Sequence, residues 1–242
     1  METGNKRDLG LPIAVVIAGA LIAASIYATG GIKIIGGGNG ADVNNNQDQG
    51  QGAPKEIVIK PVSKSDHIIG KMDAPVTIVS YTDFECPFCK KFHDTMGEVM
   101  TEYRPTGKVS WVLRQFPLDS LHTKARNEAE ATECAGSLGG NVKFWEFANK
   151  VFEYTKSNDG LDSSKLPQIA NEIGLDVDAF NSCLKSGKMK SIVQAQQDDG
   201  VAAGARGTPY SVIITNTGKK IPIDGALPLE QIKSAIDFAL KN

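Results

Sequence analysis

The pattern of hydrophobic and polar positions divides the chain into an apolar segment, a polar segment and a longer region of mixed periodicity. Leu9 to Ala28 is a run of twenty residues without a charge. At about 1.5 Å of rise per residue, a helix of that length crosses a hydrocarbon core of roughly 30 Å. The pattern therefore predicts a cytoplasmic tail and transmembrane anchor over residues 1–35.

A cleavable signal sequence is the alternative to an anchor. Both begin with basic residues, here Lys6 and Arg7, followed by an apolar centre. The apolar run is longer than a usual signal core, and no clear Ala-x-Ala site follows it, which favours the anchor. Either interpretation places the rest of the chain outside the cytoplasm.

Residues 36–56 are rich in Gly, Asn and Gln and carry few apolar side chains. Such a composition cannot bury enough surface to fold and predicts a flexible linker. The folded domain is then expected over residues 57–242, beginning with a short edge strand at Ile57 to Lys60.

Strand and helix periods alternate at the start of this domain. Val76 to Tyr81 is a short β-branched run typical of a buried strand. Apolar residues then recur at helical spacing until Pro105, and Lys108 to Phe116 returns to the period of a strand. This β-α-β order predicts a parallel pair of strands.

The next region, about residues 119–205, contains several amphipathic helical patterns and almost no strand pattern. Asp176 is placed to cap one of these helices. Two strands, Ser211 to Thr215 and Lys220 to Ile223, and a helix from Leu229 to Leu240 complete the chain. The order indicates a helical subdomain inserted into an α/β fold.

Composition narrows the function classes only slightly. The chain is 41% hydrophobic and 22% charged, with a formal net charge of −2. This balance lacks the basic surface that nucleic-acid binding requires, so no nucleic-acid partner is expected.

Two of the four cysteines, Cys86 and Cys89, lie at the predicted junction between a strand and a helix. Near a helix N-terminus, unpaired N–H groups and the macrodipole favour a thiolate. Pro87 suits the first helical turn because its missing N–H would have no partner there. The spacing predicts a pair of thiols that can close and reopen a disulfide.

A zinc site is the other common use of two such cysteines. Zinc normally needs a second close pair of Cys or His ligands. Cys134 and Cys183 are far apart in the sequence and do not supply one. His93 is more consistent with a helix residue than a ligand, so no metal is expected.

Several motifs together resemble the DsbA-like thiol:disulfide oxidoreductases of the thioredoxin superfamily. They are Asp-Phe-Glu-Cys-Pro-Phe-Cys at residues 83–89, the helical insertion, Gly-Thr-Pro at 207–209 and Asp-Gly-Ala at 224–226. The resemblance covers roughly Ile68 to Leu240. It implies a thioredoxin-like α/β fold with an inserted helical subdomain, here preceded by an N-terminal transmembrane helix.

The resemblance also implies roles for individual residues. Cys86 would be the nucleophile and Cys89 the thiol that resolves the mixed disulfide. Pro209 would be the cis-proline that faces the thiols, although an ordinary trans turn remains an alternative. Thr208 would offer its backbone to a bound client strand.

Two positions depart from the family pattern. Many relatives have a buried Glu six residues before the nucleophile, where this chain has Ser80. Proton transfer to or from Cys89 would then need water or another carboxylate, and Asp83 and Glu85 are the nearest in sequence. Strongly oxidising relatives have His in place of Phe88. Since Phe88 cannot donate to a thiolate, a weaker oxidant is expected.

Apolar residues near the motif are candidates for contact with an unfolded client. They are Phe84, Phe88 and Tyr210. Each is also compatible with a place in the core.

The other cysteines, Cys134 and Cys183, are expected to form a structural disulfide, because even numbers of exported cysteines tend to pair. Closing a loop of about fifty residues is worth roughly 4 kcal/mol in the chain-entropy model. Two buried free thiols, or a relay that exchanges with Cys86, are the alternatives.

The predicted function is an extracytoplasmic thiol:disulfide oxidoreductase that forms disulfides in exported proteins. No cofactor beyond the Cys86–Cys89 disulfide is expected. The resemblance implies reduced exported proteins as clients and a membrane redox partner of the DsbB or VKOR type. A single-pass, membrane-anchored monomer is expected. A reductase or isomerase with the same site, and a non-catalytic anchored binding module, are the alternatives.

Overall fold

The computed structural model describes residues 56–242. The predicted anchor, residues 1–35, and nearly all of the predicted linker, residues 36–56, lie outside the described residues. No helix within residues 56–242 is both long enough and apolar enough to cross a membrane.

A mixed five-stranded sheet forms the centre of the described domain, with strand order β1-β3-β2-β4-β5. β2 and β3 are parallel, and every other neighbouring pair is antiparallel. The parallel pair predicted from the sequence is confirmed. The strands are β1 (His67–Ile69), β2 (Val76–Thr82), β3 (Val109–Gln115), β4 (Tyr210–Thr215) and β5 (Lys220–Asp224).

The central strands β2 and β3 are buried along their whole length because both faces of the sheet are covered. Alternate side chains of a strand point to opposite faces. Val76 and Ile78 accordingly join one apolar cluster, while Val79 and Tyr81 join another. The β-branched run that predicted a buried strand thus serves two cores at once.

Helices α1 (Pro87–Tyr103) and α6 (Leu229–Lys241) cover the first face. Their apolar stripes supply Phe92 and Met96 from α1 and Ile232 and Ile236 from α6. The 3₁₀ turn Arg104–Thr106 follows α1, and Gly107, with a φ of 68°, reverses the chain toward β3. These contacts fix α1 against β2, and so fix the position at which α1 begins.

Between β3 and β4 the regular structure is helical. It consists of α2 (Ala125–Tyr154), α3 (Lys165–Glu172), α4 (Val177–Ser186) and α5 (Lys190–Ala203). The Asp176 carboxylate accepts a hydrogen bond from the Ala179 amide and caps α4, as the sequence predicted. α2 is interrupted at Gly140, which has a φ of 72° that favours glycine.

Cys134 of α2 and Cys183 of α4 form a disulfide, with 5.9 Å between their Cα atoms. Both residues are buried in an apolar cluster that also contains Phe84, Cys86 and Cys89. The helical region therefore shares its core with the end of β2 and the start of α1.

The expected edge strand at Ile57 to Lys60 is absent, since these residues have no regular structure. The Lys60 amide donates to Asp199 at 2.7 Å, and its carbonyl accepts from Arg114 at 3.1 Å. The edge of the sheet beside β3 is occupied by β1. The prediction of a strand at Ile57 was wrong because side chains of neighbouring elements satisfy this backbone.

Candidate active site

The fold places Cys86 at the N-cap of α1 and Pro87 in its first turn. Cys86 has an extended backbone, with φ −79° and ψ 120°, and no side chain caps the helix. Amides at the first turn of a helix lack intrahelical partners and carry partial positive charge. The Cys86 sulfur is therefore held where a negative charge is stabilised.

Cys86 and Cys89 are both free thiols and both covered by protein, with 5% and 1% of their surfaces exposed. A hydrogen bond from Cys89 lowers the pKa of Cys86 to about 6, against the opposing effect of burial. Burial raises the pKa of Cys89 well above its usual value, as do its hydrogen bond to Cys86 and the Cys86 charge. The reduced pair is thus a Cys86 thiolate beside a protonated Cys89.

Thr208 and Pro209 face this pair from the turn before β4, and the bond between them is cis. The Cys86 sulfur lies 3.4 Å from the Thr208 carbonyl oxygen, to which its protonated form donates a hydrogen bond. The Thr208 hydroxyl is buried and has no hydrogen-bond partner among the described residues. It is nevertheless close enough to lower the pKa of both cysteines.

Only one of the three candidate client-contacting side chains is accessible. Phe88 is 64% exposed in the first turn of α1. Phe84 is fully buried and packs on Phe152, with 4.9 Å between ring centroids. Tyr210 is buried, and its hydroxyl donates to the Ala203 carbonyl. Phe84 and Tyr210 therefore lie in the core, the alternative that the sequence left open for each, and Phe88 is the candidate whose side chain is exposed.

Ser80, at the position of the familial glutamate, lies in a small buried hydroxyl network. Its oxygen accepts hydrogen bonds from Trp111 Nε1 and from the Ser211 hydroxyl, each at 3.0 Å. No carboxylate replaces the glutamate on this strand. A carboxylate that serves Cys89 would have to come from outside β2.

Carboxylates instead gather beside the motif. Glu85 is fully buried and accepts hydrogen bonds from the Thr155 hydroxyl and the amides of Gly160 and Leu161, at 2.9–3.0 Å. Glu128 of α2 approaches it, and burial together with Glu85 raises the pKa of Glu128 to about 9. Glu128 is accordingly a neutral acid next to a hydrogen-bonded carboxylate.

Asp83 joins this acidic group to the thiols. Its backbone amide donates to Cys89 Sγ at 3.5 Å, and its carboxylate accepts from His122 Nδ1 at 3.0 Å. His122 and Glu128 were not found from the sequence because they lie more than thirty residues from the motif. One signal was available: Glu128 falls on the same helical face as Ala125 and Thr132, where an acidic residue is unexpected.

Within residues 56–242, no group of three or more His, Cys, Asp or Glu side chains is arranged to hold a metal ion. The two thiols, Cys86 and Cys89, are the groups whose geometry and acidity support a reaction here. A low thiol pKa provides the attacking thiolate, and a protonated neighbour one turn along provides the second thiol for exchange.

Comparisons with known proteins agree with this geometry. A family model described as Thioredoxin matches residues 62–238. DsbA2 of Pseudomonas aeruginosa is 29% identical, with a TM-score of 0.62 over 73% of this chain and 96% of its own. BdbD of Bacillus subtilis, in its oxidised form, is 25% identical, with a TM-score of 0.64 over 77% and 98%.

Curated relatives include a much larger kind of protein. The Na(+)/H(+) antiporter NhaA 1 of Mycolicibacterium vanbaalenii is 32% identical over 172 residues, which are 70% of this chain and 26% of the antiporter. NhaA 3 of Salinispora tropica is 32% identical over 144 residues, which are 60% and 21%. This chain thus spans about a quarter of the length of the curated relatives it matches.

The family model covers most of the described domain, and both solved structures are covered almost completely. The mixed sheet, with helices on both faces, is a thioredoxin-like α/β fold. The chain belongs to the thioredoxin family and is a DsbA-like oxidoreductase of the thioredoxin superfamily.

Proposed function

We propose that the protein forms disulfides in exported proteins by thiol:disulfide exchange, with Cys86 as nucleophile and Cys89 as resolving thiol. The observation that carries the proposal is the geometry of the pair: Cys86 lies at the N-cap of α1 with its sulfur 3.4 Å from the Thr208 carbonyl oxygen, beside the cis bond to Pro209, while Cys89 is buried one turn along the helix. The lowered pKa of Cys86 and the raised pKa of Cys89 agree with these positions. A thiolate that is stabilised in the reduced form makes the disulfide form a stronger oxidant.

The first step uses the closed Cys86–Cys89 disulfide. A client thiolate attacks the Cys86 sulfur, a client–Cys86 bond forms, and the Cys86–Cys89 bond breaks. Cys89 leaves with the electron pair and takes up a proton, since burial disfavours its charged form.

In the second step, another client thiolate attacks the client sulfur of the mixed disulfide. The client disulfide forms, and Cys86 departs as the thiolate that the helix N-terminus and Cys89 stabilise. The client has lost two electrons, and the enzyme holds them as a dithiol. No cofactor besides the cysteine pair takes part in the proposal.

Client binding is assigned to the surface that surrounds Cys86. Phe88 offers exposed apolar area, and the turn at Thr208 and Pro209 lies against the sulfur. An extended client segment beside this turn would place its own sulfur within reach of Cys86. The expected clients are reduced or unfolded exported proteins.

The proposed location is the outer face of a membrane, with the chain anchored by its N-terminal apolar segment as a monomer. Disulfide formation requires an oxidising compartment, and the Cys134–Cys183 disulfide fits one. Relatives named as antiporters match over about a quarter of their length, which supports a domain of this kind working beside a membrane. Reoxidation is assigned to a membrane partner of the DsbB or VKOR type.

The assignment of roles is tested with Cys89→Ala. This variant cannot resolve the mixed disulfide, so it should accumulate client adducts through Cys86, visible as slow bands on a non-reducing gel. The matched control is Cys86→Ala, which should give none. Equal bands in both variants, or in neither, would contradict the roles.

The direction of exchange is tested by the reduction potential of the Cys86–Cys89 couple, equilibrated with glutathione. Catalysis of oxidation in a reduced, unfolded client should accompany a potential above that of glutathione. A potential near that of thioredoxin, about −270 mV, would favour a reductase instead. Binding of the client without any exchange would favour a non-catalytic module.

A further inference from the structure

A buried ion pair next to the thiols has no part in the mechanism above. His122, in the turn between β3 and α2, pairs its Nδ1 with Asp83 Oδ2 at 3.0 Å. The Asp83 side chain is fully buried, and the His122 side chain is 9% exposed. A buried ionisable pair is costly to assemble, so its position beside a redox site calls for an explanation.

Asp83 is held rigidly at this position. The Glu85 amide donates to its Oδ1 at 2.8 Å, and the Leu118 amide donates to its Oδ2 at 2.7 Å. Together with His122, three donors converge on two oxygens, which is how a protein fixes a carboxylate. The backbone of the same residue contacts both cysteines: its amide donates to Cys89 Sγ at 3.5 Å, and its carbonyl oxygen accepts from the Cys86 amide at 3.3 Å. The residue that holds His122 thus also contacts the two thiol residues.

The His122 ring is oriented by this contact. Nδ1 is engaged with Asp83, whereas Nε2 makes no hydrogen bond to any part of residues 56–242. An imidazole with one nitrogen fixed by a carboxylate and the other free can gain and lose a proton without moving.

Besides Asp83, the charges that act on the His122 ring are those of Cys86 and Asp159. Asp159, in the loop before α3, accepts from the amides of Thr123 and Lys124 at 3.0 and 2.9 Å. The Lys124 ammonium is bound to the Asp159 and Leu161 carbonyl oxygens, each at 2.7 Å. Two further carboxyl groups lie near Asp83, those of Glu85 and of Glu128, and Glu128 is neutral.

These surroundings act on the proton of His122 in opposite directions. Burial by itself lowers the pKa of His122, but the hydrogen bond and charge of Asp83 raise it, as do the charges of Cys86 and Asp159. The net effect is a pKa above the usual value of 6.5. Because electrostatic coupling is mutual, a protonated His122 also favours the Cys86 thiolate.

We propose that His122, held by Asp83, is the positive charge that stabilises the Cys86 thiolate, so that reduction of the Cys86–Cys89 disulfide is coupled to proton uptake at His122. His122 is then a positioning residue, because it places a positive charge near Cys86 without touching the client. Strongly oxidising relatives have a histidine between the two cysteines, where this chain has Phe88. This inference rests on the proposed exchange at Cys86 and adds a proton acceptor to it.

The exchange balances as follows. A client with two thiols gives up two electrons and two protons and becomes a disulfide. The enzyme disulfide takes the electrons, Cys89 takes one proton, and Cys86 is left as a thiolate. The second proton goes to His122 wherever His122 was neutral in the oxidised form, and otherwise to solvent.

The first test needs no substitution. The chain has three histidines, His67, His93 and His122, and each can be titrated by NMR in the oxidised and the reduced protein. Closing the disulfide removes the Cys86 charge, so the pKa of His122 should fall on oxidation, with the other two imidazole signals as internal references. An unchanged titration of His122 would overturn the proposal.

The second test measures the pKa of Cys86 from its alkylation rate against pH. His122→Asn retains a hydrogen bond to Asp83 without a charge and should raise the Cys86 pKa by about one unit, a roughly tenfold loss of thiolate at low pH. His122→Lys restores a charge and should recover part of the loss. The control, His67→Asn on β1, should leave the Cys86 pKa unchanged.

A structural role for His122 would lower stability without moving the thiol titration, and that result would contradict the coupling. If His122→Asn does not fold, the NMR titration of His122 in the oxidised and reduced wild-type protein tests the coupling by itself. Neither measurement uses a client, so they bear on the coupling even if client exchange fails. Normal client exchange with an uncoupled His122 would overturn this inference alone.

Discussion

The Cys86 and Cys89 sulfurs belong to one helical turn, yet they have opposite acidity. Cys86 sits where helix amides converge and receives a hydrogen bond from Cys89, while Cys89 points into the core. The sequence predicted the increased acidity of Cys86, because the N-terminus of a helix could be located there. The decreased acidity of Cys89 depends on burial by helices that are distant in the sequence, which the spacing of the cysteines does not reveal.

Phe88→His is expected to lower the pKa of Cys86 below about 6. Phe88 is 64% exposed, so the exchange should leave packing intact while adding a hydrogen-bond donor beside the thiolate. The equilibrium with glutathione should shift about tenfold toward the reduced enzyme, which corresponds to about 30 mV. Phe88→Leu, which adds no donor, is the control, and an equal shift in both variants would refute the explanation.

Glu128→Gln is expected to stabilise the protein increasingly as pH rises. The pKa of Glu128 is raised to about 9 in the folded state and is about 4.3 in the unfolded chain. The unfolded state therefore releases a proton that the folded state keeps, and stability is lost between these two values. Glutamine removes this loss, which at about 1.36 kcal/mol per pH unit amounts to at most about 5 kcal/mol at about pH 8.

Urea denaturation at about pH 5 and about pH 8 measures this difference. The exposed Glu98 of α1 provides the matched control, Glu98→Gln, whose stability should follow the wild type at both values. A parallel pH dependence in Glu128→Gln and the wild type would show that Glu128 is ionised in the folded protein.

At the scale of elements, regular periodicity was sufficient wherever an element was long. β2 and β3 were predicted within a few residues, and the region after β3 was predicted to be helical, as it is. β1 was missed because three residues, His67–Ile69, are too short to show alternation. Its position depends on pairing with β3 and on Asn141, whose side chain bonds the Ile68 backbone at 2.8 Å in both directions. Such partners lie too far along the chain to be read locally.

Removing the disulfide, with Cys134→Ala and Cys183→Ala together, should destabilise the helical region. The bond joins α2 to α4 across 49 residues and restricts the unfolded chain. The expected loss is about 4 kcal/mol, or about 10 °C in melting temperature. Exchange through Cys86 should remain largely intact.

The matched control for this variant is Ser137→Ala with Ser182→Ala, two exposed positions on the same helices. Its melting temperature should stay near that of the wild type. If the cysteine variant lost exchange activity and kept its stability, Cys134 and Cys183 would be a relay rather than a structural link.

At the scale of the whole molecule, three apolar clusters meet around the sheet and the helical region. The sequence indicated an α/β fold with helices inserted before β4, and the resemblance supplied the arrangement of the sheet. Neither the sequence nor the resemblance indicated that Cys134, Cys183 and both active-site cysteines share one apolar cluster. Long-range packing of this kind arises from the assembled fold.

The stability of the reduced protein, relative to the oxidised protein, should rise with pH. The Cys86 pKa is about 6 when folded and about 8.5 when unfolded, so its stabilising contribution is complete above about 8.5 and lost as pH falls through 6. His122 acts with the opposite sign, since a raised pKa stabilises below 6.5 and is lost as pH rises. The free energy of unfolding of the reduced protein, relative to the oxidised protein, should therefore rise by less than about 3 kcal/mol.

Melting temperatures of both redox forms at about pH 6 and about pH 8.5 measure this gain. Cys86→Ala carries no thiolate and should lack the rise. An unchanged difference between the two redox forms would mean that the Cys86 thiolate is not stabilised in the folded state.

Only 5% of the Cys86 surface is exposed to solvent, which limits the shapes of molecules that can reach its sulfur. In the proposed exchange, a thin and mobile stretch of polypeptide would reach the sulfur more readily than a cysteine on a rigid convex surface. A client that acquires its compact shape would lose access to the sulfur, so turnover would end by itself once maturation is complete.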